Sequence, residues 1–426
     1  AAFYLWVNGE PVGYSQDSKL PAEFCITSYL HSGENIMALQ VMRFADSSYL
    51  EDQDYWYLSG IYRNVWLIAK PKMHIEDLHV KAIPSVTNST GTFQADIRVP
   101  RVPGFADCSV KISLYDKEQR FIAEKSGSIQ AEADYRSDVI PTANTARVSF
   151  DLEQVERWSP EHPVLYTVIA QLFDPEGNVL DIESCRFGFK LIEVRSGVVY
   201  LNGRRLLVRG VNRHEHFYPT GRHGTPKQML EEIRQMKRMN INAVRTSHYP
   251  NRTEWYDLCD EYGLYVIDET NLETHGTWQR PDGAESALPG DRPEWLGAVL
   301  DRANSMLQRD KNHASVLIWS CGNESFGGRD IYEMSRFFRE TDPTRLVHYE
   351  GVFHDRRYPD TSDMESQMYT PAADVAAFLE KHPEKPFIMC EYMHAMGNSC
   401  GAMDRYTRMT DVIPQYQGGF IWDWVD

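Results

Sequence analysis

Two glutamates stand at the ends of apolar runs. Glu324 follows Val316-Leu317-Ile318-Trp319 after the small-residue turn Ser320-Cys321-Gly322-Asn323, and Glu391 closes Phe387-Ile388-Met389-Cys390. Short continuous apolar runs of this kind read as strands buried on both faces, which puts each carboxylate at a strand tip. A pair of carboxylates facing each other across a cleft is what glycoside hydrolysis needs. One is protonated to assist the leaving group and the other is ionised to attack the anomeric carbon. A retaining enzyme holds them about 5–5.5 Å apart, an inverting one about 6.5–9.5 Å.

Other polar residues gather at comparable points. Asn323, beside Glu324, is placed to hydrogen-bond a sugar hydroxyl next to the reacting carbon, and Tyr369 to orient a nucleophilic carboxylate. His214, Arg245, His248, His394 and Trp422 also follow apolar strand-like segments. Singly, each reads as a cap or loop residue. Together they read as a polar, aromatic-lined pocket. Glu273 and His275 offer a carboxylate and an imidazole two residues apart. By spacing alone they read as a hydrogen-bonded pair, although the same two groups suit a divalent metal. Asp52 and Asp54, in the stretch Leu50-Glu51-Asp52-Gln53-Asp54-Tyr55-Trp56, belong either to a solvated turn or to a site.

The positioning elements follow from the periodicity. Strands are expected over 206–211, 243–247, 264–268, 316–319, 346–350, 363–368, 387–391 and 419–424, alternating with helices or looped connections. One helix opens with Thr225 as N-cap, Pro226 at the first position and Gln228 completing a capping box, and buries Met229, Ile233, Met236 and Met239. Eight such strands make a (β/α)8 TIM barrel over 191–426. A doubly wound sheet is the alternative, but no Gly-rich phosphate loop follows the first strand. Residues 72–190 carry short strands at regular spacing, over 75–80, 93–99, 109–115, 146–152, 165–173 and 185–190, the pattern of an immunoglobulin-like β-sandwich. Residues 1–71 are also β-structure. A hairpin turns at Asn8-Gly9, a strand lies over 36–43, and Val65-Trp66-Leu67-Ile68 closes the unit.

Composition narrows the partners. The chain has 426 residues, a formal net charge of −17, 42% hydrophobic and 25% charged residues, with no basic run. Nucleic acid is excluded as a partner by the lack of clustered Lys and Arg, and no apolar run reaches the length of a membrane span. Aromatics reach 12% and many fall in loops, where exposed faces suit sugar rings. Seven cysteines without a CxxC pattern read as free thiols in a reducing, cytoplasmic compartment. The chain begins and ends next to strand-like segments, so it is expected to be a fragment.

The stretch Asn242-Ala243-Val244-Arg245-Thr246-Ser247-His248-Tyr249-Pro250 through Gly263-Leu264-Tyr265-Val266-Ile267, and the stretch Asp310-Lys311-Asn312-His313-Ala314-Ser315 through Asn323-Glu324, closely resemble signatures of the β-galactosidases of glycoside hydrolase family 2. The likeness covers almost the whole chain. It implies that residues 1–71 are the C-terminal part of a jelly-roll sugar-binding domain. It also implies a retaining mechanism with Glu324 as acid/base and Glu391 as nucleophile, and Mg²⁺ held by Glu273, His275 and Glu324. Asp54 would reach the galactose and a Na⁺, His214, His248, His394 and Trp422 would contact the sugar, and Arg245 and Tyr369 would orient. The sister activities β-glucuronidase and β-mannosidase, and a non-catalytic carbohydrate-binding scaffold, are the alternatives. Intact relatives suggest a homo-oligomer. Further Na⁺ ligands and an aromatic platform for the aglycone are expected outside this chain, and an incomplete jelly roll would leave strand edges unpaired.

Overall fold

The computed structural model describes residues 2–102, 107–131, 144–278, 280, 282, 285–397 and 399–425. Eight parallel strands carry the C-terminal half: Val208–Asn212, Ala243–Arg245, Tyr265–Glu269, Val316–Ser320, Leu346–His348, Glu365–Met368, Phe387–Tyr392 and Tyr416–Ile421. The first pairs with the eighth, Val208 opposite Gly418. Between the fifth and sixth, the Asp363 amide donates to the Val347 carbonyl at 2.9 Å, and His348 Nε2 lies 2.8 Å from Ser366 Oγ. The sheet is thus rolled into a (β/α)8 barrel, and the fourth strand is buried along its whole length, as its apolar run predicts.

The outer helices are amphipathic. Pro226–Arg238 starts at the expected capping box, Thr225 with Gln228, and buries Met229, Ile233 and Met236 against Trp255 and Tyr256 of Thr253–Tyr262. Met239 departs from the expected stripe. It caps the helix C-terminus, beyond the last turn that faces the barrel, and is 64% exposed.

The middle of the chain is a sandwich of two four-stranded antiparallel sheets. Strict alternation in Asp77–Pro84 and Tyr166–Phe173 sends every second side chain into a shared core with Phe93, Val110, Ile112 and Leu114. The strand Phe121–Ser128 was hidden in the sequence because, at a sheet edge, most of its side chains are solvated. The strand expected over 185–190 is the tail of a longer one, Val179–Phe187.

The N-terminal residues form a three-stranded sheet of Glu10–Ser15, Ala2–Val7 and Met37–Met42. The segment Val65-Trp66-Leu67-Ile68 is not the closing strand expected of it. It finds no sheet partner among the described residues, and its side chains stay exposed, from Val65 at 60% to Leu67 at 79%.

Both ends of the barrel are docked. At the N-terminal end, Lys190 of the sandwich donates to the carbonyls of His313, Ala314 and Val316, Asn312 brackets Val80 and Leu78 at 2.9 and 2.7 Å, and Lys311 pairs with Asp77 at 2.6 Å. The Asp310–Ser315 stretch is therefore a clamp between domains. At the C-terminal end, Glu51–Asp52 of the first domain pair in parallel with Glu273–Thr274 of the barrel. Arg302 adds an ion pair to Glu51 at 2.8 Å, and Arg63 one to Glu215 at 2.6 Å.

Candidate active site

Arg245, at the tip of the second strand, is fully buried and uses all five of its N–H groups. Nε and Nη2 form a fork on Glu269 at 2.7 and 3.0 Å, Nη1 reaches Asn212 at 3.1 Å and Glu391 at 2.9 Å, and Nη2 reaches Asn323 at 2.8 Å. One planar cation thereby fixes residues from strands one, three and seven and from the turn after strand four. Burial alone would push the Glu269 carboxyl up, but Arg245 and His248 overcome it and bring it to about 2. Glu269 also accepts from Ser320 Oγ at 2.7 Å.

Glu391 receives a hydrogen bond on each oxygen, from Arg245 on Oε1 and from the Tyr369 hydroxyl on Oε2 at 2.7 Å. Burial pushes its carboxyl up. Arg245 and His248 pull against that, the charge of Glu324 adds to it, and the carboxyl is left above its usual value. His248 bonds Glu269 through Nδ1 at 2.8 Å and turns Nε2 toward Glu273 and Glu391, 3.8 Å from each. Trp422 stacks on His248 with ring centres 5.3 Å apart and meets His214 edge-on at 5.3 Å. His394 is exposed, 5.8 Å from the Tyr369 ring.

The tautomer of His214 follows from its neighbours. The Tyr249 hydroxyl accepts the Glu215 amide at 3.2 Å and so turns its own proton to His214 Nδ1, also at 3.2 Å. Burial holds this imidazole well below its ordinary pKa. It is therefore neutral, with the proton on Nε2, a buried donor with no hydrogen-bond partner among the described residues. Tyr55 of the first domain stacks on it at 3.8 Å.

Glu324 owes its position to the turn before it. Gly322 has φ 131°, and a Cβ there would stand 2.5 Å from the Leu272 carbonyl, so only glycine permits this turn. Glu324 itself has φ 30°, with its amide donating to the buried Glu350 at 2.8 Å. Burial pushes the Glu324 carboxyl up, but His275 outweighs it through a 2.6 Å bond from Nδ1 to Oε2, leaving it below the usual value. His275 rises to about 10 through its hydrogen bonds to Glu273 and Glu324, so it carries a proton at neutral pH.

Ligand atoms of Glu273, His275 and Glu324 lie within 4.8 Å of one another, and two carboxylates with an imidazole are a donor set able to coordinate a metal ion. Glu273 is held from both sides, by the Asp54 amide at 2.9 Å and by Asn323 Nδ2 at 3.2 Å. The Asp54 carboxylate lies outside the cluster, exposed, with Oδ2 3.8 Å from His275 Nε2.

All the residues singled out from the sequence reach this one mouth. Glu269, Glu350, Tyr249 and Tyr55 were not singled out. Glu269 and Tyr249 sit beside chosen residues, at strand tips where polar residues are dense, but Tyr55 had only its place next to Asp54 to mark it.

The family pattern described as "Glycosyl hydrolases family 2, TIM barrel domain" matches residues 192–426, over half of the chain. The chain belongs to glycosyl hydrolase family 2. The family's sugar binding domain matches residues 1–71, and a further family 2 region matches 73–190. Among curated relatives, a "Beta-galactosidase" of Halalkalibacterium halodurans is 48% identical over 427 residues, covering all of this chain and 41% of the relative. That of Priestia megaterium is 49% identical over 430 residues, again covering 100% and 41%, so the chain spans about two-fifths of these relatives. A "Beta-galactosidase large subunit" of Lactobacillus acidophilus is 42% identical, with 66% of its length covered. A solved β-glucuronidase of Bacteroides uniformis superposes with a TM-score of 0.79 at 20% identity over 99% of this chain and 55% of that one, which establishes the shared fold. No helix among the described residues is long and apolar enough to cross a membrane, and all seven cysteines are free.

Proposed function

We propose that this family 2 chain carries the catalytic core of a retaining β-galactosidase that cleaves terminal, non-reducing β-galactosides. The observation that carries the reading is the unequal treatment of two carboxylates at one barrel mouth. Glu391 is gripped on both oxygens by donors, Arg245 and Tyr369, which favours the ionised nucleophile. Glu324, before any cation binds, accepts a 2.6 Å hydrogen bond from the protonated His275, so unlike Glu391 it has a titrating partner, which suits a group that must give and take a proton.

In the first displacement a Glu391 oxygen bonds to the anomeric carbon as the glycosidic C–O bond breaks. The released electron pair goes to the leaving oxygen, which takes a proton from the Glu324 carboxyl. In the second, water attacks the same carbon, Glu324 accepts its proton, and the ester pair returns to Glu391, so the configuration is retained. The unpartnered Nε2–H of His214, with His248, Asn323, His394 and the faces of Trp422, would hold the galactose. Relatives named β-galactosidase at up to 49% identity support a galactoside over a glucuronide or mannoside.

Glu273, His275 and Glu324 are the proposed Mg²⁺ ligands, and the exposed Asp54 carboxylate is the proposed contact for sugar and Na⁺. A bound cation supplies fixed positive charge beside the acid/base group. Its binding must displace the proton that His275 holds at neutral pH.

Assaying the full-length protein on chromogenic β-galactoside, β-glucuronide and β-mannoside tests the substrate class. A 2-deoxy-2-fluoro galactoside should leave a covalent adduct on the peptide containing Glu391, read by mass spectrometry. Turnover with no adduct, or an adduct on another residue, would overturn the nucleophile assignment.

A further inference from the structure

Besides Trp422, Tyr55 and Tyr369, a second group of aromatic side chains lies on the Glu324 side of the mouth. Trp278 closes the short helix His275–Trp278, one turn beyond the His275 that bonds Glu324. Phe326 follows Glu324 by two residues, on the loop after the fourth strand, and His354 comes from the loop after the fifth. Their rings meet, Trp278 to Phe326 at 4.5 Å, Trp278 to His354 edge-on at 4.7 Å, and Phe326 to His354 at 6.0 Å. The His354 ring packs under Trp278 and Phe326, and the charge of Glu324 reaches its imidazole, although partial desolvation of the ring, the larger influence, lowers its proton affinity. Trp278 and Phe326 stay half-buried and His354 exposed, so these aromatics are not part of the barrel core.

The backbone is built to bring them together. Phe326 has φ 54°, and a side chain at Gly351 would collide with its carbonyl oxygen, so the bare glycine lets the fourth and fifth loops close on each other. A proton donor must sit beside the leaving oxygen, whereas the nucleophile sits on the opposite face of the sugar being cleaved. Groups clustered at Glu324, away from the Arg245–Tyr369 grip on Glu391, therefore face the departing group. Aromatic faces bind the apolar face of a sugar ring, with polar edges left to water.

We propose that Trp278, Phe326 and His354 form the binding wall for the leaving group, taking a second sugar ring or an aromatic aglycone against Trp278 and Phe326. The assignment rests on Glu324 acting as the proton donor, and it places a leaving-group subsite within the barrel loops themselves.

The test uses the full-length protein and Trp278→Ala, Phe326→Ala and Trp278→Phe. Each is assayed on lactose, whose leaving group is a sugar ring, and on β-galactosyl fluoride, whose leaving group has no ring to stack. The ratio of kcat/KM for lactose to that for the fluoride should fall roughly fivefold to tenfold in the alanine variants and recover in Trp278→Phe. An equal loss on both donors would overturn the wall, since the aromatics would then be serving the fold or Glu324. An unchanged ratio would overturn it as well. Running matched β-glucuronide and β-mannoside pairs separates the two readings. Turnover of one of those sugars in place of galactose removes the galactoside assignment but leaves the ratio test standing, whereas inactivity on every donor removes both.

Discussion

The two sides of the barrel mouth are built on different principles. The Glu391 side is closed and permanent, with a fully buried guanidinium, every donor matched, and partners drawn from the barrel alone. The Glu324 side is more open and composite. It leans on a titrating histidine, on the Glu51–Asp52 strand of another domain, and on loops that carry aromatics. A nucleophile that must stay ionised gains from fixed charge, whereas a group that cycles its proton needs neighbours able to exchange one. Under the proposed assignment, each carboxylate's reactivity follows from how replaceable its partners are, with the buried Glu391 held by fixed donors and the half-buried Glu324 by an exchanging one.

The comparison can be broken from either side. The largest effect is expected for Glu391→Gln, which should lower kcat by at least about 10³-fold while a galactoside still binds, as read by steady-state kinetics and calorimetry. Turnover near the parent level would end the assignment. Glu324→Gln should cost about 10²- to 10⁴-fold on substrates with poor leaving groups and far less on activated ones. A uniform loss across leaving groups would make the two sides alike.

Arg245→Met tests the permanence of the closed side. It strips Glu269 and Glu391 of their shared cation, and breaking such a buried pair costs on the order of 3–5 kcal/mol, to be seen in chemical denaturation together with lost activity. On the exchangeable side, Mg²⁺ titrated into the protein at pH 7 should release about one proton, because His275 starts protonated with a pKa of about 10. The observed calorimetric heat would then vary with the ionisation enthalpy of the buffer, and Glu273→Gln should weaken binding about 10- to 100-fold.

The smallest effect is on acid stability. Burial takes His348 down to about 3, so its folded pKa lies below the unfolded value of 6.5. Its stabilising contribution is complete above pH 6.5 and fades as pH falls toward 3. Glu269, depressed from 4.5 to about 2, adds a loss between those values. Denaturant midpoints should therefore fall on acidification from about pH 6.5 downward, and His348→Asn should lessen the early part of the fall, to which the buried His214 also contributes.

The barrel was legible chiefly from strands such as Val316–Ser320 and Phe387–Tyr392, which are buried on both faces and carry unbroken apolar runs, whereas Glu365–Met368 carries none. The capping box at Thr225 and Gln228 marked a helix start to the residue. Edge elements were not legible. Phe121–Ser128 lacks a buried stripe, and Val65-Trp66-Leu67-Ile68 has the composition of a strand but finds no neighbour to pair with among the described residues. The site residues were visible as polar residues at strand tips, but their grouping was not, since contacts such as Arg245 with Glu391 or Asp54 with Glu273 join positions far apart in the chain. Periodicity carries no record of such pairings. The Glu273–His275 pair shows the limit most plainly, because only the approach of Glu324 turns a local hydrogen-bonded pair into a three-ligand cluster.

The parallel pairing of Glu51–Asp52 with Glu273–Thr274 has a bearing on how the protein matures. The segment that pairs beside the candidate metal ligands leaves the ribosome long before the residues it must meet, so it waits unpaired while the sandwich and the first strands of the barrel are made. Closing that contact spans more than half the chain, and long-range closure is the slow part of folding. A newly made barrel can thus be rolled and compact before Glu51–Asp52 docks on Glu273–Thr274, a late step that a pulse-labelling experiment could time.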